Sequence, residues 1–383
     1  MVRRSLPAVA MLAAALAVSG CSTMDSLNPF ASKGPKIAEL TPFKASVETR
    51  VTWRESVGKS DVYVFTPAVV GRVAYAASRD GTIVRLEDGK RSWRINAGQP
   101  LSGGVAADNR MLVVGTPKGD VLAFDADDGK ALWSAKASSE VLAPPAIGEG
   151  LVVVRSGDNR LMAFDALDGK RKWTYQRPTP PLSLRSTAAP IIDNKAVLAG
   201  FPGGKVIALG AGNGAQIWEG TVALPKGATE LDRVSDITSQ PVIAGRILCA
   251  VAFQGKVACF DISSGNTLWA RDMSSAAGLA IDGRYLYVTD DKGAVHALDV
   301  ASGASIWKQD KLLNRRVSAP LPRRNLIAVA DVQGYVHFLN RDDGAFVGRL
   351  STDGTPVVAP LQLLDNRVLV QTSGGSVLAI EAQ

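Results

Sequence analysis

Cysteine and histidine are scarce: a chain of 383 residues carries three Cys and two His. That leaves little material for a zinc site, and neither a metal nor another cofactor is expected. Long apolar runs are missing too. Beyond the extreme N-terminus no stretch approaches the 18 or more uninterrupted apolar residues of a membrane-spanning helix. Hydrophobic residues still make up 46% and charged ones 21%, with 37 Gly and 20 Pro. The composition excludes disorder and collagen, and describes a soluble body with a core and frequent turns. Length alone allows two or three domains, whereas the composition points to one repetitive body.

The N-terminus reads as an export signal over residues 1–20. Arg3 and Arg4 form a positive region and Leu6 to Val18 a mostly apolar run too short to span a membrane. The tetrapeptide Val18-Ser19-Gly20-Cys21 resembles the bacterial lipobox, which implies lipidation of Cys21. Ser22 stands where an Asp would resemble an inner-membrane retention signal, so the resemblance implies the periplasmic face of the outer membrane. The formal charge of +7 falls to +5 without Arg3 and Arg4, and nucleic acid is no partner in that compartment. Residues 21–45, with Asn28-Pro29, Gly34-Pro35 and Thr41-Pro42, read as a flexible tether.

Residues 46–383 are a repeat. The seven Trp, at 53, 93, 133, 173, 218, 269 and 307, recur at intervals near 40, the spacing of propeller blades. Asp125, Asp165, Asp261 and Asp299 each lead by Asp-x3-Gly-x3-Trp spacing to the next Trp. A seventh copy keeps Asn340 and Gly344 but has Gly348 in the Trp position. The Asp is expected to accept hydrogen bonds from turn amides, the Gly to supply positive φ, and the Trp to fill the gap between sheets. Hairpin centres at Gly81, Gly119, Asn159, Gly204, Gly255, Gly293, Gly334 and Gly375 count eight. The Trp53 strand precedes the first hairpin and the Gly375 hairpin has none after it. The expected fold is therefore all-β, an eight-bladed β-propeller whose N-terminal strand closes the last blade.

The repeat is stretched between Trp173 and Pro190 and between Trp218 and Pro241, two consecutive connections of one kind that emerge on one face. The first carries Pro181-Leu182-Ser183-Leu184-Arg185, the second Thr229-Glu230-Leu231-Asp232-Arg233-Val234-Ser235-Asp236. Apolar residues beside charges suit a partner-binding patch, although loops that merely pack on each other would show the same mixture. Arg185 is expected to pair with Asp232 or Asp236. These segments, the lipobox and the repeats together resemble the BamB lipoproteins of the outer-membrane β-barrel assembly machinery. The resemblance covers the chain from Cys21 onward. It implies a scaffold that binds the POTRA repeats of BamA, meets the other Bam lipoproteins through BamA, and aids insertion of barrel proteins. It also implies Leu182, Leu184, Arg185 and Asp236 as partner contacts, with Asp232 assigned to the same surface. Thr238 departs from it, standing where the enterobacterial form is acidic.

The same residues admit other readings. The Asp-x3-Gly-x3-Trp repeat also resembles pyrroloquinoline-quinone dehydrogenases, but those need calcium, a carboxylate base and typically an adjacent Cys pair. Here Cys249 and Cys259 lie ten apart and the repeat Asp residues are dispersed at turns, so no catalytic residue is expected. A third alternative has the propeller rim guide unfolded outer-membrane proteins by β-augmentation. Cys249 and Cys259 flank the Gln254-Gly255 turn. A three-residue loop would oppose them and permit a disulfide, while a two-residue loop would leave two separate thiols. His296 and His337 occupy positions that are aliphatic in other blades, and are expected to be packed and hydrogen-bonded.

Overall fold

The computed structural model describes residues 35–383. The expected signal segment and Cys21 lie outside them. Among the described residues every regular element is a β-strand, and the strands form eight four-stranded antiparallel sheets. Blades one to seven span residues 68–96, 106–136, 146–175, 191–221, 242–272, 278–309 and 321–351, each a simple meander. The short first strands of neighbouring blades touch around a central channel, which puts the Trp-bearing fourth strands on the outer rim.

The eighth blade confirms the expected closure. Its strands cover 362–364, 367–371 and Ser376–Ala382, and its fourth strand is Thr49–Ser56, paired antiparallel to Ser376–Ala382 from Thr49↔Ala382 to Ser56↔Ser376. Chain ends thus complete one sheet, and the ring has no open seam for another chain to enter. The core lies between blades, as interdigitated aliphatic clusters such as Val152, Val154, Met162 and Phe164 with Met111, Val113 and Val121.

Trp and Gly lock blades two to six each to the blade that follows. Trp133, Trp173, Trp218, Trp269 and Trp307 point their rings at Gly169, Gly214, Gly265, Gly303 and Gly344 of the following blade, where a Cβ would come within 2.5–2.7 Å of the ring. These glycines have φ of 68–72°, so the position excludes side chains on backbone and on space alike. Each of the five indole N–H groups also donates to a carbonyl in that next turn, as Trp173 does to Ala211 at 2.7 Å. The Asp caps its turn as expected: Asp125 Oδ1 accepts from the amides of Asp127 and Asp128 at 2.8 and 3.2 Å. The tryptophans are structural mortar.

One boundary differs from expectation. Residues 38–45, assigned to the tether, lie along the outer strand of blade seven. Ala38 N donates to Leu313 O, and Ser46 and Val47 N both donate to Val347 O, each at 3.0 Å. Pro42 is no linker residue here. Two backbone carbonyls ahead of it are claimed by arginines from the body, Ala38 O by Arg315 and Thr41 O by Arg349.

The cysteines are resolved in favour of the bond. Ala252 N donates to Lys256 O, so residues 253–255 form a three-residue loop. Cys249 then stands opposite Cys259, joined to it by a buried disulfide with Cα atoms 4.1 Å apart. Both histidines are packed and hydrogen-bonded, His296 to Asp290 and His337 to Asp331, each at 2.9 Å.

Candidate docking face

In an antiparallel four-stranded blade the second hairpin and the link to the next blade share one end. The two insertions, residues 176–190 and 222–241, therefore rise beside the Asn159, Gly204 and Gly255 turns on one face. Proline sets the path of the first. Pro178, Pro180 and Pro181 fix φ and remove amide donors, so this segment cannot extend a sheet. It presents Leu182 and Leu184, 39% and 37% exposed, to solvent.

Asp236 ties the two insertions together. It is 2% exposed; one carboxylate oxygen accepts from Leu184 N at 2.7 Å and the other from Gly203 N at 3.0 Å. A buried carboxylate costs several kcal/mol unless it is bonded, and here it receives two amides and the field of buried Arg155. Burial lowers the Arg155 pKa to about 10, partly offset by Asp236. Arg155 is satisfied by Gly200 O at 2.6 Å and Asn159 Oδ1 at 3.0 Å, with its guanidinium 5.5 Å from the Phe201 ring centre.

The second insertion displays Leu231 at its tip, 70% exposed, on a turn that Asp232 builds. The Asp232 carboxylate accepts from Thr229 N at 3.1 Å and Thr229 Oγ at 2.7 Å. Those bonds, the hydroxyl first, hold it below the usual carboxylate range. Gly227 makes the fold-back possible: its φ is +136°, and a Cβ there would meet Asp232 Cβ at 2.1 Å. Arg233 closes the turn through Gly227 O and Glu230, both at 3.1 Å.

Two expectations are corrected. Arg185 pairs with neither Asp232 nor Asp236; its guanidinium grips Glu140 of the preceding connection at 2.7 and 3.1 Å. That hydrogen-bonded pair raises the Arg185 pKa. The physical reason is geometric. Asp236 is turned inward to backbone amides and Asp232 is consumed by its own turn, which leaves Glu140 as the acceptor in reach. Asp236, expected at the partner surface, is buried and positions Leu184 from below. Leu182, Leu184 and Arg185 share one segment, and Leu231 and Asp232 crown the next. Sequence reasoning missed Glu140 and Arg155. Glu140 had one signal, the lone acid of the connection preceding the first insertion. Arg155 had none, because it stands at a strand end that is small or aliphatic in most other blades and leaves the repeat unchanged.

Beside the insertions the channel mouth opens a cavity of about 430 Å³, lined mostly by small or uncharged residues such as Thr187, Ala189 and Ser239, together with Asp290, Asp291 and Arg316. Among the described residues no three His, Cys, Asp or Glu side chains gather to hold a metal ion.

Comparison with known proteins places the chain in a family. Residues 79–309 match the family model described as outer membrane protein assembly factor BamB. The protein of that name from Bordetella pertussis is 43% identical over the whole of both chains. The crystal structure of BamB from Moraxella catarrhalis superposes with a TM-score of 0.82 at 28% identity, covering 87% of this chain and all of that one. The quinohemoprotein alcohol dehydrogenase from Comamonas testosteroni shares the fold alone, with a TM-score of 0.71 at 13% identity over 87% of this chain and 76% of that one. The chain belongs to the BamB family of outer membrane protein assembly factors.

Proposed function

We propose that the protein is a noncatalytic scaffold of outer-membrane protein assembly, held at the periplasmic face of the outer membrane by lipids on Cys21. The paired insertions dock the POTRA repeats of BamA, and the other Bam lipoproteins are reached through BamA. One observation carries the reading: two consecutive connections are longer than the other links between blades, and a buried Asp236 locks them into one surface that holds Leu182, Leu184 and Leu231 in water. A rigid ring that exposes apolar side chains on preset loops has already lost the entropy that binding would otherwise cost. The three leucines serve as anchors, and Arg185 with Glu140 and Asp232 as the polar rim.

Leu184→Ala with Arg185→Glu is expected to abolish co-purification with BamA while leaving the unfolding midpoint unchanged. Undiminished BamA recovery from that variant would sink the proposal. The dehydrogenase alternative finds no support in the site. The two cysteines are buried within blade five, the repeat carboxylates are spent on their turns, and the relatives carry the name of assembly factors. Residues 21–37 then form the tether.

A further inference from the structure

The seventh repeat lacks its Trp, and the structure shows what stands there instead. Gly348 sits in the outer strand Phe346–Ser351, and a Cβ on it would meet Thr49 Cγ2 at 2.9 Å and Val47 O at 3.5 Å. An indole would occupy the path of the N-terminal segment. It would also have nothing to dock against, because blade eight passes from its third strand to its fourth through the chain ends and has no Asp-x3-Gly turn there.

Residues 38–48 fill the space so left. They descend blade seven from the insertion-bearing face to the opposite one before the chain turns back as Thr49–Ser56. The upper end is gripped by Arg315, 1% exposed, which donates to Ala38 O at 2.8 Å. Arg315 is itself fixed by Asp331 at 2.6 Å and Gln333 at 2.7 Å. Midway, Arg349 donates to Thr41 O at 3.2 Å and to His337 Nδ1 at 3.0 Å, while its guanidinium lies 4.9 Å from the Phe43 ring centre. Phe43 packs on Phe346 with centroids 5.6 Å apart. At the lower end Glu48 and Gln383 exchange backbone hydrogen bonds at 3.0 Å.

A ring closed by its N-terminal strand has a mechanical weakness when that end is the anchored one. Pull on the chain would strip the edge strand Thr49–Ser56 one hydrogen-bonded pair at a time, which is the easiest way to open a sheet. We propose that residues 38–48 are a clasp that transfers the pull of the anchored N-terminus to blade seven, ahead of the strand that closes the ring, and that Gly348 is the gap cut for it. The mechanical role rests on the lipid anchor at Cys21; the clasp itself does not. The same clasp fixes the tether exit at Ala38, on the face that carries the insertions.

Restoring the repeat tests this in the full chain. In Gly348→Trp the amides of Ala38, Ser46 and Val47 are expected to exchange hydrogen at least about tenfold faster, with the amides of blades two to five unchanged. In an optical trap, pulling between residue 22 and a Cys placed at exposed Leu167, the native chain is expected to rupture twice, clasp before closing strand. The variant is expected to lose the first event. Phe43→Ala, which leaves the ring intact, is expected to do the same more weakly and decides the matter if the Trp variant does not fold. Unchanged exchange at Ala38 and Ser46, or release of clasp and closing strand in one event in the native chain, would overturn the clasp. Loss of membrane retention on Cys21→Ala bears on the anchor alone and separates the two readings.

Discussion

The repeat is broken in two places, in opposite ways. Between blades three and five residues are added, and the additions face water with leucines at their tips. At blade seven a side chain is taken away, and the space is filled from within by the protein's own N-terminal segment. The first break costs the core nothing, since the outer strand pair of blade four keeps the same bulged register as in blades three and five, and it is free to serve a partner. The second is paid for with a polar cluster of buried Arg315, Asp331 and His337 beside half-buried Arg349, which serves the fold. Additions on a rigid frame make a surface, and subtractions make a seat.

Substitutions can sharpen that contrast, taken in order of their effect on stability. Arg315→Ala removes the partner of a fully buried carboxylate and is expected to cost about 3–5 kcal/mol, read from the urea midpoint. A loss under about 1 kcal/mol would mean that the seat is not a structural site. Next in size, reduction of the Cys249–Cys259 bond releases a short hairpin loop and is expected to cost about 2–3 kcal/mol, measured by unfolding with and without a reductant. It is expected to leave BamA association intact, because the Asp236 carboxylate that locks the two insertions is held by the amides of Leu184 and Gly203, outside blade five.

The seat should also be sensitive to pH. Burial, set against the attraction of Asp331, lowers the pKa of His337 below its ordinary 6.5. Its Nδ1 accepts from Arg349, and its Nε2 donates to Asp331, so the folded state holds the neutral ring. A base whose folded pKa lies below its unfolded one contributes stability that is present above the unfolded pKa and is lost as pH falls through 6.5 toward the folded value. Unfolding midpoints between pH 7 and 5 are expected to decline, and His337→Gln is expected to flatten that slope. A slope that survives the substitution would assign it elsewhere. Smallest in stability, within about 0.5 kcal/mol, is Leu184→Ala with Arg185→Glu. A measured loss much above that value would make the insertion part of the fold and erase the contrast with blade seven.

Much of this molecule is written in its spacing. Trp and Gly at a period near 40 determine the blade count, because only a Gly at positive φ clears the ring that docks on it, and that pairing is local in sequence. The closure by the Trp53 strand followed from counting, since eight hairpins with a Trp strand short at one end and spare at the other admit one economical solution. The insertions were legible as excess length. What the sequence could not supply was direction. Whether Asp236 looks outward to a partner or inward to the amides of Leu184 and Gly203, and whether Arg185 reaches Asp232 or Glu140, depends on how three connections from different blades meet above the ring. The seat for residues 38–48 was likewise hidden. Pro42 and mixed charges read as a linker, and only packing against Phe346 and two arginines from far along the chain turns that segment into structure. Period and composition are properties of the chain, whereas burial and pairing across hundreds of residues belong to the closed ring alone.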